Sequence, residues 1–318
     1  MVDISIIIVS WNAKDYLQKC LDSIYKENKK FDIEVIVVDN ASTDGSQDMV
    51  RTRFPKVQLI CNHDNLGFAK ANNIGIKQSG GKYLSLINSD VEILPDCFNQ
   101  LLCYMEENQD IGILGPRILN SDKTLQRSCR GFPNLWNSFC RALALDSIFP
   151  KVKLFCGDMM SYWSHDTIHD VDVLSGCFWF INRKALNDVG LLDEMFFIYS
   201  EDLDWCKRFA AADWRRTYYP SVQAIHYGGA SSENAPVRFY LEMQRSKLYY
   251  WRKHHSFFEQ IVFLHIICFH HLVRVVVGLL SYSIAPSRRE STCFKIKRHL
   301  FALKFLLSRK REAISVTD

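Results

Sequence analysis

The strongest constraint on the fold is an alternation of short apolar runs with helix-period segments that begins at Ile4. Ile4 to Val9 is a continuous, mostly β-branched run that reads as a buried strand. It closes on Ser10-Trp11-Asn12, where Ser10 and Asn12 can cap a helix marked by Asp15, Leu17, Leu21 and Ile24. Glu34 to Val38 reads as a second strand, ending in the turn-rich stretch Asp39 to Ser46. Val57 to Cys61 is a third. After a loop from Asn62 to Gly67, a helix over Phe68 to Gln78 leads to a fourth strand, Tyr83 to Asn88. Strands apolar on both faces and separated by helices belong in a sheet covered on both sides. The expected class is therefore α/β, a doubly wound, mainly parallel sheet flanked by helices. Ligands bind such sheets beyond the carboxyl ends of the strands, so Asp39, Asn88 and Asp90 should share one crevice.

Further along, a helix is expected from Pro95 to about Asn108 and a strand or turn over Ile111 to Pro116. Ser121 to Asp170 is rich in Trp, Phe, Arg and Cys without a clean period, and reads as an acceptor-side loop region. Val171 to Ile181 resumes as a strand, helices begin near Lys184 and Glu201, and Arg216 to Ile225 is a last strand ending at His226. Beyond Tyr240 the composition shifts, which divides the chain into a catalytic domain over 1–240 and a helical extension over 241–318. Phe257 to Ala285 is dominated by Phe, Ile, Leu and Val, yet Glu259, His265, His270, His271 and Arg274 interrupt it. A spanning helix needs about 20 largely apolar residues. A surface-lying or partly inserted helix pair, followed by the acid-free basic stretch Lys295 to Arg311, fits these interruptions better; ordinary core helices are the alternative. Peripheral membrane contact through 257–311 is the expectation.

With 48% hydrophobic and 23% charged residues, the 318-residue chain is expected to build a sizeable core. Its net charge of +4 is concentrated enough in the C-terminal stretch to suit an anionic membrane surface or a phosphate-rich ligand. No nucleic-acid partner is expected. The eleven cysteines include no CxxC pair, which argues for reduced, mostly buried thiols rather than a zinc ribbon. The start of the chain has no basic n-region or cleavage site, so no signal peptide is expected and a cytoplasmic location follows.

The residues that carry chemistry stand at strand ends. A departing nucleotide diphosphate needs its charge neutralised, and a divalent ion such as Mg2+ or Mn2+ held by one or two carboxylates does this. Asp90, closing Asn88-Ser89-Asp90, is placed to be such a ligand, although the same triplet also makes an ordinary turn. Asp39 could accept the imide N–H of a uracil or thymine. Asn65, Gly67, Asn72 and Asn73 combine a permissive glycine with amides at a helix start, suited to a ribose or phosphate or simply to capping. His226 could complete a metal site, bond a phosphate, or be structural. Trp179, Trp205 and Trp214 could stack on sugars but are of a type more often found in cores.

Taken together, Ser10-Trp11-Asn12, Val38 to Ser46, Asn65-Leu66-Gly67-Phe68 and Asn88-Ser89-Asp90 resemble family-two glycosyltransferases of the GT-A fold. The rhamnosyltransferase-like members of bacterial O-antigen and polysaccharide assembly are the nearest likeness. It continues through Ser175-Gly176, Leu191 to Glu194, Glu201 to Asp204 and Ile225 to Gly229, and so covers roughly residues 3–232. The resemblance implies an inverting transferase that uses a dTDP- or UDP-linked sugar, with rhamnose the first choice, and a glycan or lipid-linked glycan acceptor at the cytosolic face of the inner membrane. It implies nucleotide-sugar contacts at Ser10, Asn12, Asp39, Asn65, Gly67, Asn72 and Asn88. Ser175 and Gly176 would shape the donor–acceptor junction, and Asp90 and His226 would hold the metal. Asp202 would be the general base, with Glu201 its competitor. The physics agrees, since a sugar hydroxyl attacks well only when a positioned carboxylate takes its proton. Asn88 stands where a fuller Asp-X-Asp motif has a second carboxylate.

Two other classes compete. A sugar-phosphate nucleotidyltransferase should carry a Gly-rich loop after the first strand, and Ser10 to Lys14 contains no glycine. A non-catalytic nucleotide- or glycan-binding protein on the same fold is opposed by the intact acids at 90, 201 and 202.

Overall fold

The computed structural model describes residues 2–27, 30–228, 236–284 and 289–308. By internal packing the chain divides into two units, one of Met1–Phe132 with Ser164–Asn234, the other of Pro133–Trp163 with Ala235–Asp318.

The first unit is built on β1 (Ile4–Ser10), β2 (Ile33–Asp39), β3 (Gln58–Cys61) and β4 (Tyr83–Asn88), parallel and ordered β3-β2-β1-β4. Alternation sorts their side chains onto two faces. Ile4, Ile6, Ile8, Val35 and Val37 pack with Leu17, Cys20, Leu21 and Ile24 of α1 (Lys14–Lys26) and with Met49 and Val50 of α2 (Ser46–Arg53). Each such aliphatic side chain contributes roughly 1.5–3 kcal/mol when fully buried. On the opposite face, α3 (Phe68–Gln78) approaches so closely that a Cβ on Gly75 would lie 2.5 Å from Ile7 Cγ2. The sheet is thus doubly wound, as the alternation predicts.

The second half of the sheet departs from a mainly parallel one. The nine-stranded sheet continues β4-β10-β6-β11-β5, with β8 (His169–Asp170) beside β11. Here β5 is Val91–Ile93, β6 Ile111–Leu119, β10 Phe178–Asn182 and β11 Arg215–His226, while α4 (Cys97–Glu107) connects β5 to β6. β10 runs antiparallel to both β4 and β6, and β11 parallel to β6. The cause is the excursion after Leu119. It leaves the carboxyl edge of the sheet and returns to the same edge, so the next strand can only run back. The central sheet is mixed.

Two sequence expectations change inside this excursion. Val171 to Ile181 is not one strand: β9 (Val173–Leu174) pairs with β7 (Cys129–Arg130), and the chain turns at Ser175-Gly176 before β10 joins β4. The stretch 121–170 is not only loop. It holds α5 (Leu135–Ala142), α6 (Leu145–Ile148) and α7 (Lys153–Cys156), the latter two too short to show a helical period.

After β10, α8 (Arg183–Val189) and a turn lead to α9 (Glu201–Ala211). Because β11 starts at the amino edge beside Ile111, α9 must run from the carboxyl edge toward it, about 1.5 Å per residue. That polarity puts Glu201 and Asp202 at the carboxyl edge.

The second unit is helical. It joins α5, α6 and α7 with α10 (Pro236–His254), α11 (Phe257–Ile284) and α12 (Arg289–Leu307). α11 is long and apolar enough to cross a membrane by length and composition, and Leu272, Val276, Leu279, Leu280 and Ile284 are exposed along it. Some of its polar interruptions face protein. His271 is buried, with its Nδ1 2.9 Å from His299 Nδ1 of α12, and Arg274 donates to the Arg141 carbonyl of α5. The basic stretch 295–311 is described only to Ser308, and Gly229 of the last motif also lies outside the described residues.

Candidate functional site

The strand order places the chain's change of direction between β1 and β4, since β2 and β3 lie to one side of β1 and β4 to the other. Crevices form at such switch points. Ser10 and Asp39 are register partners at the carboxyl ends of β1 and β2. Asp39 is buried, and its Oδ1 accepts from the Ser42 amide at 2.9 Å and from Gln47 Nε2 at 2.7 Å. Among the described residues its Oδ2 has no partner, nor does Ser10 Oγ, and both atoms are buried. Unsatisfied polar atoms in such a place mark where a ligand's donors belong.

Neither Ser10 nor Asn12 caps α1, whose N-cap is Ala13 without a side-chain bond. Asn12 instead holds the neighbouring loop: its Oδ1 accepts from the Thr43 amide at 2.8 Å, and its own amide donates to Ser42 Oγ at 2.9 Å. Asn12 and Ala41 both have positive φ, 49° and 62°. Strained backbone at the ends of adjacent strands costs of order 1–3 kcal/mol each and is retained where surrounding structure requires it.

The next motif serves mainly to bind elements together. Asn65 Oδ1 accepts from the Gly67 amide, and Asn72 Nδ2 donates to the Phe68 carbonyl within α3. Asn73 clasps Leu192 through both its amide and carbonyl groups and also donates to Glu194 Oε1 at 3.0 Å. Gly67 is obligatory. Its φ is +81°, and a Cβ there would lie 2.3 Å from the Phe197 carbonyl oxygen, which accepts from Phe68 N–H. The motif thereby fixes the segment that leads into α9.

Across β4, Asn88, Asp90 and His226 converge. β11 ends beside β5, with His226 paired to Val91. His226 Nε2 lies 3.2 Å from Asp90 Oδ1 and 3.4 Å from Asn88 Nδ2. The Asn88 amide donates to the Cys177 carbonyl, tying this corner to the Ser175-Gly176 turn. A carboxylate oxygen and an imidazole nitrogen at this spacing suit a divalent cation. Ligands about 2.1 Å from an octahedral ion stand about 3.0 Å apart when adjacent. Oxygen with one imidazole is a donor set compatible with Mg2+ or Mn2+.

Ser175 donates from its amide to the Ser128 carbonyl. Gly176 lies against Trp179 and Phe68, so it links β9, β10 and α3. Trp179 and Trp205 are fully buried against each other, while Trp214 donates from Nε1 to Asp188; the three form no common platform.

α9 begins after two left-handed residues, Tyr199 at φ 68° and Ser200 at φ 64°. Glu201 and Asp202 are both buried in its first turn. Burial, reinforced by the Asp202 charge, pushes the Glu201 carboxyl up to about 8, with Arg130 opposing. Glu201 Oε2 has no partner among the described residues. Asp202 Oδ1 accepts from the Leu203 amide at 2.9 Å. Two turns of α9 are braced by Arg208, which pairs with buried Asp204 and donates to the carbonyls of Val189 and Leu191.

Three residues here escaped the sequence reading. Gln47 bonds Asp39, Gln126 bonds His226, and Arg130 lies close enough to act on Glu201. Gln126 and Arg130 belong to a stretch with no periodicity, so no pattern marked them.

The family described as glycosyl transferase family 2 matches residues 5–190. A similar relative is the N-acetylglucosaminyl-diphospho-decaprenol L-rhamnosyltransferase of Mycobacterium tuberculosis, 26% identical over 266 residues, covering 79% of this chain and 84% of the relative. Another is the dTDP-rhamnosyl transferase RfbF of Shigella flexneri, 27% identical, covering 78% of this chain and 80% of that protein. Among solved structures, the mannosyltransferase PcManGT from Pyrobaculum calidifontis in complex with GDP-Man and Mn2+ has a TM-score of 0.55 at 15% identity, over 94% of this chain and 84% of that one. It shares the fold. With more than half its length matched by the family and its mixed sheet of the GT-A kind, this chain belongs to glycosyl transferase family 2 and is a nucleotide-sugar-dependent glycosyltransferase.

Proposed function

We propose that the chain transfers L-rhamnose from dTDP-rhamnose, with inversion, to a lipid-linked glycan during assembly of a cell-surface polysaccharide. The observation that carries the proposal is the pairing of Asp90 Oδ1 with His226 Nε2 beyond the end of β4, together with a buried Asp39 Oδ2 at the end of β2 that has no partner among the described residues. Rhamnose and the lipid-linked acceptor rest on the names of the similar proteins.

In this reading Asp39 Oδ2 accepts the imide N–H of thymine, and Gln47 and Ser42 hold the carboxylate in place through its other oxygen. Asp90 and His226 hold a divalent ion, whose contribution when bound is to neutralise the departing diphosphate. Asn88 and the Ser175-Gly176 turn line the space between donor and acceptor. Asp202 takes the proton of the attacking hydroxyl as the new bond forms. A single displacement with one base inverts the anomeric centre, and no second nucleophile is required. Glu201, held protonated at neutral pH, is suited to donating a hydrogen bond rather than to accepting the proton. The exposed apolar side chains of α11 and the cationic α12 support a helical unit that works at the cytosolic face of the inner membrane.

The test is the purified protein with a panel of dTDP-, UDP- and GDP-sugars, with and without chelator, and prenyl-diphosphate-linked N-acetylglucosamine as acceptor. Transfer of rhamnose with a changed anomeric configuration is the expected outcome. Binding of donors without transfer to any acceptor would leave a nucleotide-binding protein instead.

A further inference from the structure

Gln126 sits outside every motif of the catalytic reading, yet it makes the shortest contact to His226. Its Oε1 is 2.6 Å from His226 Nδ1. Its Nε2 donates to Asn120 Oδ1 at 2.9 Å and to the His226 backbone carbonyl at 3.2 Å. A backbone carbonyl can only accept, so the orientation of the Gln126 amide is fixed by that bond: nitrogen toward the carbonyl, oxygen toward the ring. The atom facing Oε1 must then be a donor, which makes Nδ1 the protonated nitrogen. In the neutral ring this leaves the lone pair on Nε2, the nitrogen that faces Asp90.

The support for Gln126 is itself rigid. Its amide donates to the Ile118 carbonyl, and the turn before it is closed by the Asn120 amide on the Thr124 carbonyl. Asn120 Nδ2 also donates to Thr124 Oγ1, which leaves Asn120 Oδ1 to accept from Gln126. β6 and β11 are parallel neighbours through Ile225, so the turn after β6 is delivered directly to the side of His226.

We infer that Gln126 is a positioning residue, which locks His226 in the Nδ1–H tautomer and thereby presents Nε2 to the divalent ion opposite Asp90. The inference rests on the metal reading above for its second half only. Partners that orient a ligating histidine typically matter 10–100-fold for metal affinity or activity.

The test uses the full chain labelled with 15N-histidine at pH 8, with the His226 signals identified by their loss in His226→Gln. The wild type should show one tautomer, protonated at Nδ1, and Gln126→Leu should show a mixture. Mn2+ affinity, read by electron paramagnetic resonance of free Mn2+ with dTDP present, should weaken 10–100-fold in Gln126→Leu. Gln126→Glu, which keeps the acceptor, should recover most of it. Circular dichroism and dTDP affinity without metal report whether the variants stay folded. A wild-type His226 protonated at Nε2 would overturn the tautomer lock. Mn2+ affinity within twofold of wild type in a folded Gln126→Leu would overturn the ligand role. No Mn2+ binding by the wild type would remove the metal reading and that role together, while the tautomer measurement still decides the lock.

Discussion

Glu201 and Asp202 are adjacent, equally buried, and unlike in what their carboxyls can do. Burial, helped by the Asp202 charge, holds the Glu201 carboxyl far above the ordinary carboxylate range, at about 8, and one Glu201 oxygen has no partner among the described residues. At neutral pH Glu201 is therefore mostly an acid. Asp202→Asn should lower kcat by about 10²–10⁴-fold, the usual contribution of a positioned base, with donor affinity within about threefold. Glu201→Gln mimics the protonated side chain and should keep kcat within about tenfold of wild type. Steady-state transfer and donor-binding calorimetry on both variants decide between them, and the reverse ranking would make Glu201 the base.

The same pair gives a pH dependence of stability. Unfolded, Glu201 loses its proton near the ordinary 4.5; folded, it keeps it to about 8. Between those values the unfolded chain binds fewer protons than the folded one, so stability falls as pH rises through the window. Thermal unfolding at pH 5 and pH 8 should show a smaller drop in Tm for Glu201→Gln than for wild type. Equal drops would mean that the site relaxes or hydrates when Glu201 ionises.

Much of this site is legible in the sequence, for a reason that also explains the gaps. Ser10, Asp39 and Asn88 end strands whose apolar runs are unmistakable, and residues at parallel strand ends must meet in space. The direction of β10 was hidden, because it depends on where the chain returns after Leu119 and not on the strand's own composition. The turn at Ser175-Gly176 was hidden too, since Val171 to Ile181 is apolar enough to read as one run. Asn72 and Asn73 are indistinguishable by type; only the α3 surface each occupies sends one to Phe68 and the other to Leu192. By sequence His271 is only a polar break in an apolar helix, because its partner, His299, comes to it from α12.

Asp39→Asn tests base recognition. An amide keeps the shape but replaces a charged acceptor, and hydrogen bonds to charged groups contribute about 1.5–3 kcal/mol. Affinity for dTDP should weaken roughly 10–100-fold, while affinity for inorganic diphosphate stays unchanged. Equal losses for both ligands would point to collapse of the Ser42–Gln47 loop rather than loss of a base contact.

Gly67→Ala tests whether the Asn65-Gly67 turn acts through α9. The substitution meets both a left-handed φ and the Phe197 carbonyl, so it cannot be accommodated in place. Folding stability should fall by about 1–3 kcal/mol in denaturant titrations. Because Phe197 lies just ahead of Glu201, kcat should fall more than donor affinity does. A stable variant with unchanged kcat would show that this contact does not set the position of α9.

The proposed membrane contact through α11 sets apolar insertion against charge. Leu279, Leu280 and Ile284 are exposed by 54%, 60% and 80%, far more than the buried Phe263, Ile267, His271 and Val275 that mark the packed side of the same helix. Serine at all three positions removes apolar surface without touching that packed side. If the exposed face inserts, the triple variant should lose most of its binding to vesicles of mixed neutral and anionic lipid, at low and high salt alike. If the basic residues of α12 dominate, wild-type binding should vanish as salt rises past the range where surface charges are screened, about 10 Å of Debye length at 0.1 M. Binding that resists salt in the wild type and fails in the triple variant is the expected result. Release of the wild type by salt alone would assign the contact to Lys295, Lys297 and Arg298 instead.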